Sequence, residues 1–363
     1  MMELVDVEAL REYVASLPLH ERWFLLLVGA IGTLLVLSVL FTGYTIFLRL
    51  RNLAKERLWG VREERWTQVV LEALTSEGPV EEVVSRIPKG DRLPFLDFLQ
   101  RYARRVRGPE RRRLDALARP FLSDLLPELA NRNPYQRARA VQTLGMLGYQ
   151  EHRSAVARML DDPAPFVAMV ASRAVLAQGD QELAPKVLAR LERFGSWSVE
   201  YLTGLLSRAG VFMLPHLRAV MVDTSRPGWV RTVAVRTLEE LHDAESADAA
   251  AAALAPDPEP DLAVALLRLL AEVGRGEHLP RVLALTSAEH EGVRGAAFRG
   301  VGALGGKDDL PLLLDGLHDP SPWVAIRAAR ALREVGGDGS LEAIFHSPHP
   351  RADLAGQVLK EKQ

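Results

Sequence analysis

Seven times along the chain an apolar helical stretch stops at nearly the same interval: on Gly148, Gly179, Gly210, His242, Gly274, Gly305 and Gly336, spaced 31, 31, 32, 32, 31 and 31 residues apart. Six of these seven stops are glycine, the residue that reaches the left-handed helix-closing conformation at least cost. Four residues before each stop stands Leu144, Val175, Leu206, Leu238, Leu270, Val301 or Leu332. Eight before stands Ala140, Ala171, Leu202, Ala234, Leu266, Ala297 or Ala328, mostly small. Offsets of four and eight share one helix face, so each stretch carries a continuous buried stripe. Between the stripes lie second apolar helices, around residues 155–160, 183–191, 213–221, 247–254, 279–285, 310–317 and 341–345. A unit of helix, turn and helix cannot bury its apolar face alone; stacking on neighbours supplies the core. The expected fold is all-α: an α-solenoid of helix pairs with a period of 31–32 residues over 131–363, closed by a frayed helix around Ala355, Val358 and Leu359.

The stretch Asp319-Pro-Ser-Pro-Trp-Val-Ala-Ile-Arg-Ala-Ala-Arg-Ala-Leu-Arg-Glu-Val-Gly336, with Gly292-Val-Arg-Gly-Ala-Ala and Trp229-Val-Arg-Thr-Val-Ala, resembles HEAT repeats, in particular the short repeats of phycobilisome lyases. The resemblance covers roughly residues 131–346. It implies a scaffold or partner-binding surface, with bilin lyase chemistry confined to a minority of such proteins. The family joins its repeats by a ladder of turn Asp and an Arg six residues on; here Asp162 is followed by Ala168 and Asp319 by Ala325, so no ladder is expected.

Residues 23–48, WFLLLVGAIGTLLVLSVLFTGYTIFL, are twenty-six residues without a charge, where about 20 cross a hydrocarbon core. Trp23 at one end and Tyr44 and Phe47 at the other suit the membrane interfaces. The run is too long for a signal peptide and has no basic start or small-residue cleavage site. Residues 1–22 carry Glu3, Asp6, Glu8, Glu12 and Glu21 against Arg11 and Arg22, or −3, whereas residues 49–65 carry +3. Basic residues stay inside, so residues 1–22 are expected outside the cytoplasmic membrane and 49–363 within the cytoplasm. Gly29 with Thr33 and Ser38 with Thr42 form small-xxx-small pairs that admit a close helix. Residues 4–17 have apolar positions at helical spacing and point to a short helix on the outer surface. Residues 49–130 read as a basic juxtamembrane linker followed by irregular opening repeats.

Two further rows repeat with the period. Thirteen residues before the stops stand Tyr135, Phe166, Trp197, Trp229 and Trp323; six before stand Arg173, Arg236, Arg268, Arg299 and Arg330. At 100° per residue the two rows lie about 20° apart on one flank, away from the buried stripe. The inner, concave surface of a solenoid would then present arginine and aromatic side chains to a partner rich in carboxylates or aromatics. The competing reading is structural: aromatics stapling turns and arginine stems covering apolar surface. Arg101, Arg104, Arg105, Arg107, Arg111, Arg112 and Arg113 form a second basic cluster; residues 101–119 net +6, a charge suited to anionic lipid or an acidic partner.

The chain has no cysteine, which removes disulfides, thiol nucleophiles and thiolate metal sites. Its 45 basic residues include only six lysines, a bias typical of a GC-rich bacterial genome. A net charge of −2 argues against a nucleic-acid coat. Gly300-Val-Gly302-Ala-Leu-Gly305 lies inside a repeat helix with no strand before it, so it cannot cradle a dinucleotide phosphate. His346 and His349 lack a third ligand, and no metal or cofactor is expected. The expected role is a membrane-anchored scaffold for a protein partner in a membrane-associated complex, without enzymatic activity or a small-molecule substrate. A membrane enzyme such as a polysaccharide glycosyltransferase is the client first in view. The alternatives are a bilin-lyase-like enzyme and a nucleic-acid adaptor.

Overall fold

The structure, a computed structural model, describes residues 18–75, 80–254 and 259–361. The outer-surface helix expected over residues 4–17 lies outside the described residues. The chain divides into two compact units, residues 1–86 and 87–363.

In the first unit, α1 (Leu19–Thr75) runs 57 residues without a break, about 85 Å at 1.5 Å per residue. Residues 49–75, the basic juxtamembrane stretch and the start of the region expected to be helical, continue the same helix, and the cause is simple. The run is built largely of Leu, Arg, Glu and Lys, good helix formers, and its punctuation, Gly78 and Pro79, comes only after Thr75. Within it Leu27–Arg51 has a mean hydropathy of 2.1. The hydroxyls of Thr33 and Thr42 donate to the carbonyls of Gly29 and Ser38 at 2.8 Å, so both small-residue pairs satisfy their polar atoms inside the helix. Farther along, Trp59 meets Trp66 edge to face at 5.5 Å. Arg86, after α2 (Val80–Ser85), pairs with Glu72 at 2.7 Å.

The second unit opens with α3 (Arg92–Ala103) and α4 (Pro109–Leu122). There follow seven stacked helices: α5 (Pro134–Leu147), α7 (Pro165–Ala177), α9 (Val199–Ser207), α11 (Gly228–Glu240), α13 (Pro260–Val273), α15 (Glu291–Leu304) and α17 (Pro322–Glu334). Shorter helices alternate with them: α6 (Tyr149–Arg158), α8 (Ala184–Ala189), α10 (Leu214–Val222), α12 (Ala247–Ala253), α14 (Leu279–Leu283), α16 (Leu310–Asp315) and α18 (Asp338–Phe345); α19 (Ala352–Lys360) packs on α17 and α18. No strand occurs among the described residues. Four stacked helices begin on Pro134, Pro165, Pro260 or Pro322, where the ring presets φ and the missing N–H costs nothing. Each long helix packs along the next except at α7 and α9, which meet only sparingly; α8 and the 3-10 turn Leu191–Phe194 lodge against α7 there. Both stripes are interior: Leu144, Val175, Leu206, Leu238, Leu270, Val301 and Leu332 are all 0% exposed.

The stacked repeats are also tied by ion pairs, where the sequence reading expected no Asp–Arg ladder. Arg137 binds both oxygens of Asp162 at 2.7 and 2.8 Å, and Arg294 binds both oxygens of Asp319 at 2.7 and 3.0 Å. The arginine stands 25 residues before its aspartate, not six after it. Each aspartate also accepts its own turn's N–H, from Ala164 or Ser321, so one carboxylate closes the turn and joins two repeats. Among the short helices, Arg153 and the Tyr149 hydroxyl both bind Asp180, and Arg218 binds Asp243. Arg153 holds the Asp180 carboxyl well below the usual range, against the opposing effect of burial.

Candidate partner-binding face

The two periodic rows separate in the structure. Of the arginines, Arg236 pairs with Glu200 at 2.6 Å, Arg268 with Glu239 at 2.9 Å and Arg330 with Glu361 at 2.6 Å. Each links neighbouring repeats, though a partly exposed pair contributes little, about 0–1 kcal/mol. Arg173 and Arg299 have no ion-pair partner among the described residues.

The aromatics do not make one continuous row. Tyr135 and Trp323 are 72% and 75% exposed. Phe166 is exposed and lies 5.8 Å from the Tyr135 ring. Trp197 and Trp229 are half-buried. Trp197 packs edge to face on Phe194 at 5.6 Å, and Trp229 covers Gly195, where any side chain would touch its ring. In mid-stack the aromatics staple repeats; only at the ends are they open.

Two clefts meet at Arg268, one bordered by α9, α11 and α13 and the other by α13, α15 and α17. The first, about 430 Å³, is lined by Arg236 and by Glu239, Glu240 and Glu272. The second, about 360 Å³, is lined by Arg299, Arg327 and Trp323 over a floor that includes Gly292 and Gly295. Arg327 has no ion-pair partner among the described residues. Burial, then the neighbouring Arg330, Arg299 and Arg268, press its guanidinium pKa down. Glu334 stands among the same arginines, and burial pushes its carboxyl up despite them. Arg327 escaped sequence reading because it lies nine residues before its stop, where the other units have Arg139, Val170, Tyr201, Val233, Ala265 and Ala296, too mixed a column to mark a row.

The cluster at 101–113 is not a uniform patch. Arg104, Arg105, Arg107 and Arg112 are exposed, and Arg101 lies 5.8 Å from the Phe98 ring centre. Arg111 turns inward instead: it donates to the carbonyls of Ala103, at 2.6 Å, and Met146, and pairs with Asp115 at 2.9 Å. It is a tie between α4 and the end of α5, not part of a surface for lipid.

Asp248, Glu277 and His278 come together, a juxtaposition the sequence does not announce. His278 Nδ1 accepts the Arg275 backbone N–H at 3.0 Å, which leaves the proton on Nε2 to donate to Asp248 at 2.8 Å. Arg275 pairs with Asp248 and with Glu277. These donor atoms are thus occupied in joining α12 to the turn before α14. His349 meets His318 at 3.4 Å between Nε2 atoms, while the His346 ring lies tilted against Phe345, 4.9 Å between ring centres.

A search of curated proteins gives no match. Among solved structures, the chain is similar to karyopherin Kap121p bound to RanGTP, at 14% identity and a TM-score of 0.49, over 82% of this chain and 41% of that one. It is similar to human deoxyhypusine hydroxylase at 18% identity and a TM-score of 0.30, over 76% and 97% of the two chains. The chain thus spans only 41% of the length of the Kap121p chain. A family model described as HEAT repeats matches residues 122–203 and 247–333. Those two stretches are HEAT repeats, and the fold that carries them is a HEAT-like α-solenoid.

Proposed function

We propose that this chain is a membrane-anchored scaffold without catalysis of its own, which holds an acidic segment of a partner protein in the groove that the two clefts form along α9–α17. The observation that carries the reading is the groove's far half. Arg299 and Arg327 make no ion pair among the described residues there, although Glu291 and Glu334 stand near, and they lie beside an indole that is three-quarters exposed. Guanidinium binds carboxylate in a fork, and an open indole offers a stacking face. The surface pairs Arg236–Glu200 and Arg268–Glu239 are weak enough for a partner's carboxylates to displace. On this reading the groove is the solenoid's inner face. The client class placed first is a membrane enzyme, such as a polysaccharide glycosyltransferase, because a tethered scaffold meets what is held at the same bilayer.

Purification of the full chain from its native membranes in mild detergent, followed by identification of co-purifying proteins, supplies the partner. The triple variant Arg268→Gln, Arg299→Gln, Arg327→Gln is expected to recover that partner at least tenfold less well while melting as the wild type does. Undiminished recovery by the triple variant would sink the groove.

The support for the anchor is Leu27–Arg51, 25 residues whose side chains are exposed in the folded chain; leaving so much apolar surface in water is costly. The charge balance places the amino terminus outside the cytoplasmic membrane of a bacterium. Because the chain lacks cysteine, Ser16→Cys and Ser347→Cys each give one thiol. An impermeant maleimide should label the first in intact spheroplasts and the second only after lysis; the reverse pattern overturns the orientation.

A further inference from the structure

Where α7 and α9 fail to pack closely, the stack leaves a cleft of about 350 Å³. The cause is local: α9 has 9 residues where its neighbours α7 and α11 have 13. Its walls bring together two groups of arginine that the sequence keeps far apart. Arg104 comes from the basic segment after α3, Arg173 from α7 and Arg208 from the end of α9. All three are exposed, and none has an ion-pair partner among the described residues. Arg111 also borders the cleft, but its guanidinium is spent on Asp115 and two carbonyls. No aspartate or glutamate lines the space, whereas both halves of the groove above include glutamate. The interior is apolar, with Met146, Val170, Ala174 and Leu205 among its walls.

A cleft lined by three arginines without an acid and by apolar side chains selects an anion that carries an apolar body. Guanidinium matches phosphate oxygens two at a time, and the volume lies at the small end of organic ligand sites, about 300–1,000 Å³. We infer that this cleft is a binding site for an organic phosphate with an apolar group, its phosphate held by Arg104, Arg173 and Arg208 and its apolar part against Val170 and Leu205. This site is separate from the groove proposed for a protein partner and stands whether or not that groove binds one.

Hexyl phosphate, below its micelle concentration, is titrated calorimetrically into the full chain held in nanodiscs of phosphatidylcholine. One saturable site per chain is expected, with inorganic phosphate binding at least tenfold more weakly and hexanol showing no saturable heat. Arg173→Gln with Arg208→Gln should weaken hexyl phosphate tenfold or more at an unchanged melting temperature. Val170→Gln should weaken hexyl phosphate and leave inorganic phosphate as it was. A second nanodisc containing phosphatidic acid distinguishes the source: lost hexyl phosphate binding assigns the site to a lipid headgroup, and unchanged binding assigns it to a soluble phosphate ester. Hexyl phosphate no tighter than inorganic phosphate, or full binding by the double arginine variant, overturns the inference.

Discussion

Replacing Arg137 by methionine is expected to destabilise the junction of α5 and α7 by about 3 kcal/mol, the lower end of the range for breaking a buried ion pair. The Asp162 side chain is 3% exposed and would keep the Ala164 N–H as its hydrogen bond and the more distant charge of Arg193. The pH dependence supplies a second signature. In the wild type, burial raises the Asp162 pKa, but Arg137 and the Ala164 N–H together hold it below its ordinary value. Its contribution to stability is then complete above the unfolded pKa of about 4 and is lost as the pH falls through the lower folded value. Without the guanidinium, burial is opposed only by the Ala164 N–H and the charge of Arg193, so the carboxyl's pKa rises and acid relieves the variant by protonating it. The gap between the two proteins should therefore narrow from neutral pH to about pH 4. Amide hydrogen exchange in α5 and α7 reads it; a gap of equal size at both pH values would mean that Arg137 acts by packing alone.

Gly302→Val is expected to part α15 from α17. A Cβ at that position would lie 2.8 Å from the Ala331 Cα and 2.9 Å from its Cβ. The obstruction is backbone, which cannot swing aside, so the cost should reach or pass the usual overpacking range of about 1–3 kcal/mol. Gly204→Ala is the matched control: it lies inside α9, and nothing stands within 4 Å of its added carbon. That change should be neutral or stabilising by up to about 1 kcal/mol. Thermal melts followed by circular dichroism compare the two, and equal melts for both variants would contradict the packing described for α15 and α17.

The apolar stripe was legible because burial in a stacked repeat recurs with the repeat itself. The stops were legible in position more than in cause. Gly179, Gly210 and Gly336 take positive φ, and so does His242 at 51°. Gly305 has φ −85° and is needed for another reason: a Cβ there would sit 2.6 Å from its own helix's Val301 carbonyl oxygen. The Arg–Asp ties escaped because aligned columns compare residues one period apart, whereas Arg137 and Arg294 reach forward 25 residues into the next turn. The cleft escaped for a related reason. Arg104 lies outside the register altogether, and the short α9 that opens the space breaks the pattern from which the rest was read.

The seams of this stack are written in one kind of cation. Every ion pair described between repeats draws its cation from arginine, and of the described lysines, Lys89, Lys186, Lys307 and Lys360, none takes part. Acylating reagents, whether an acetyltransferase's thioester or a synthetic active ester, seek amines and pass over such joints. Dicarbonyls such as methylglyoxal condense with guanidinium, and for them the partly open joints at Arg153, Arg268 and Arg330 are within reach, while Arg137 and Arg294 are shielded by burial.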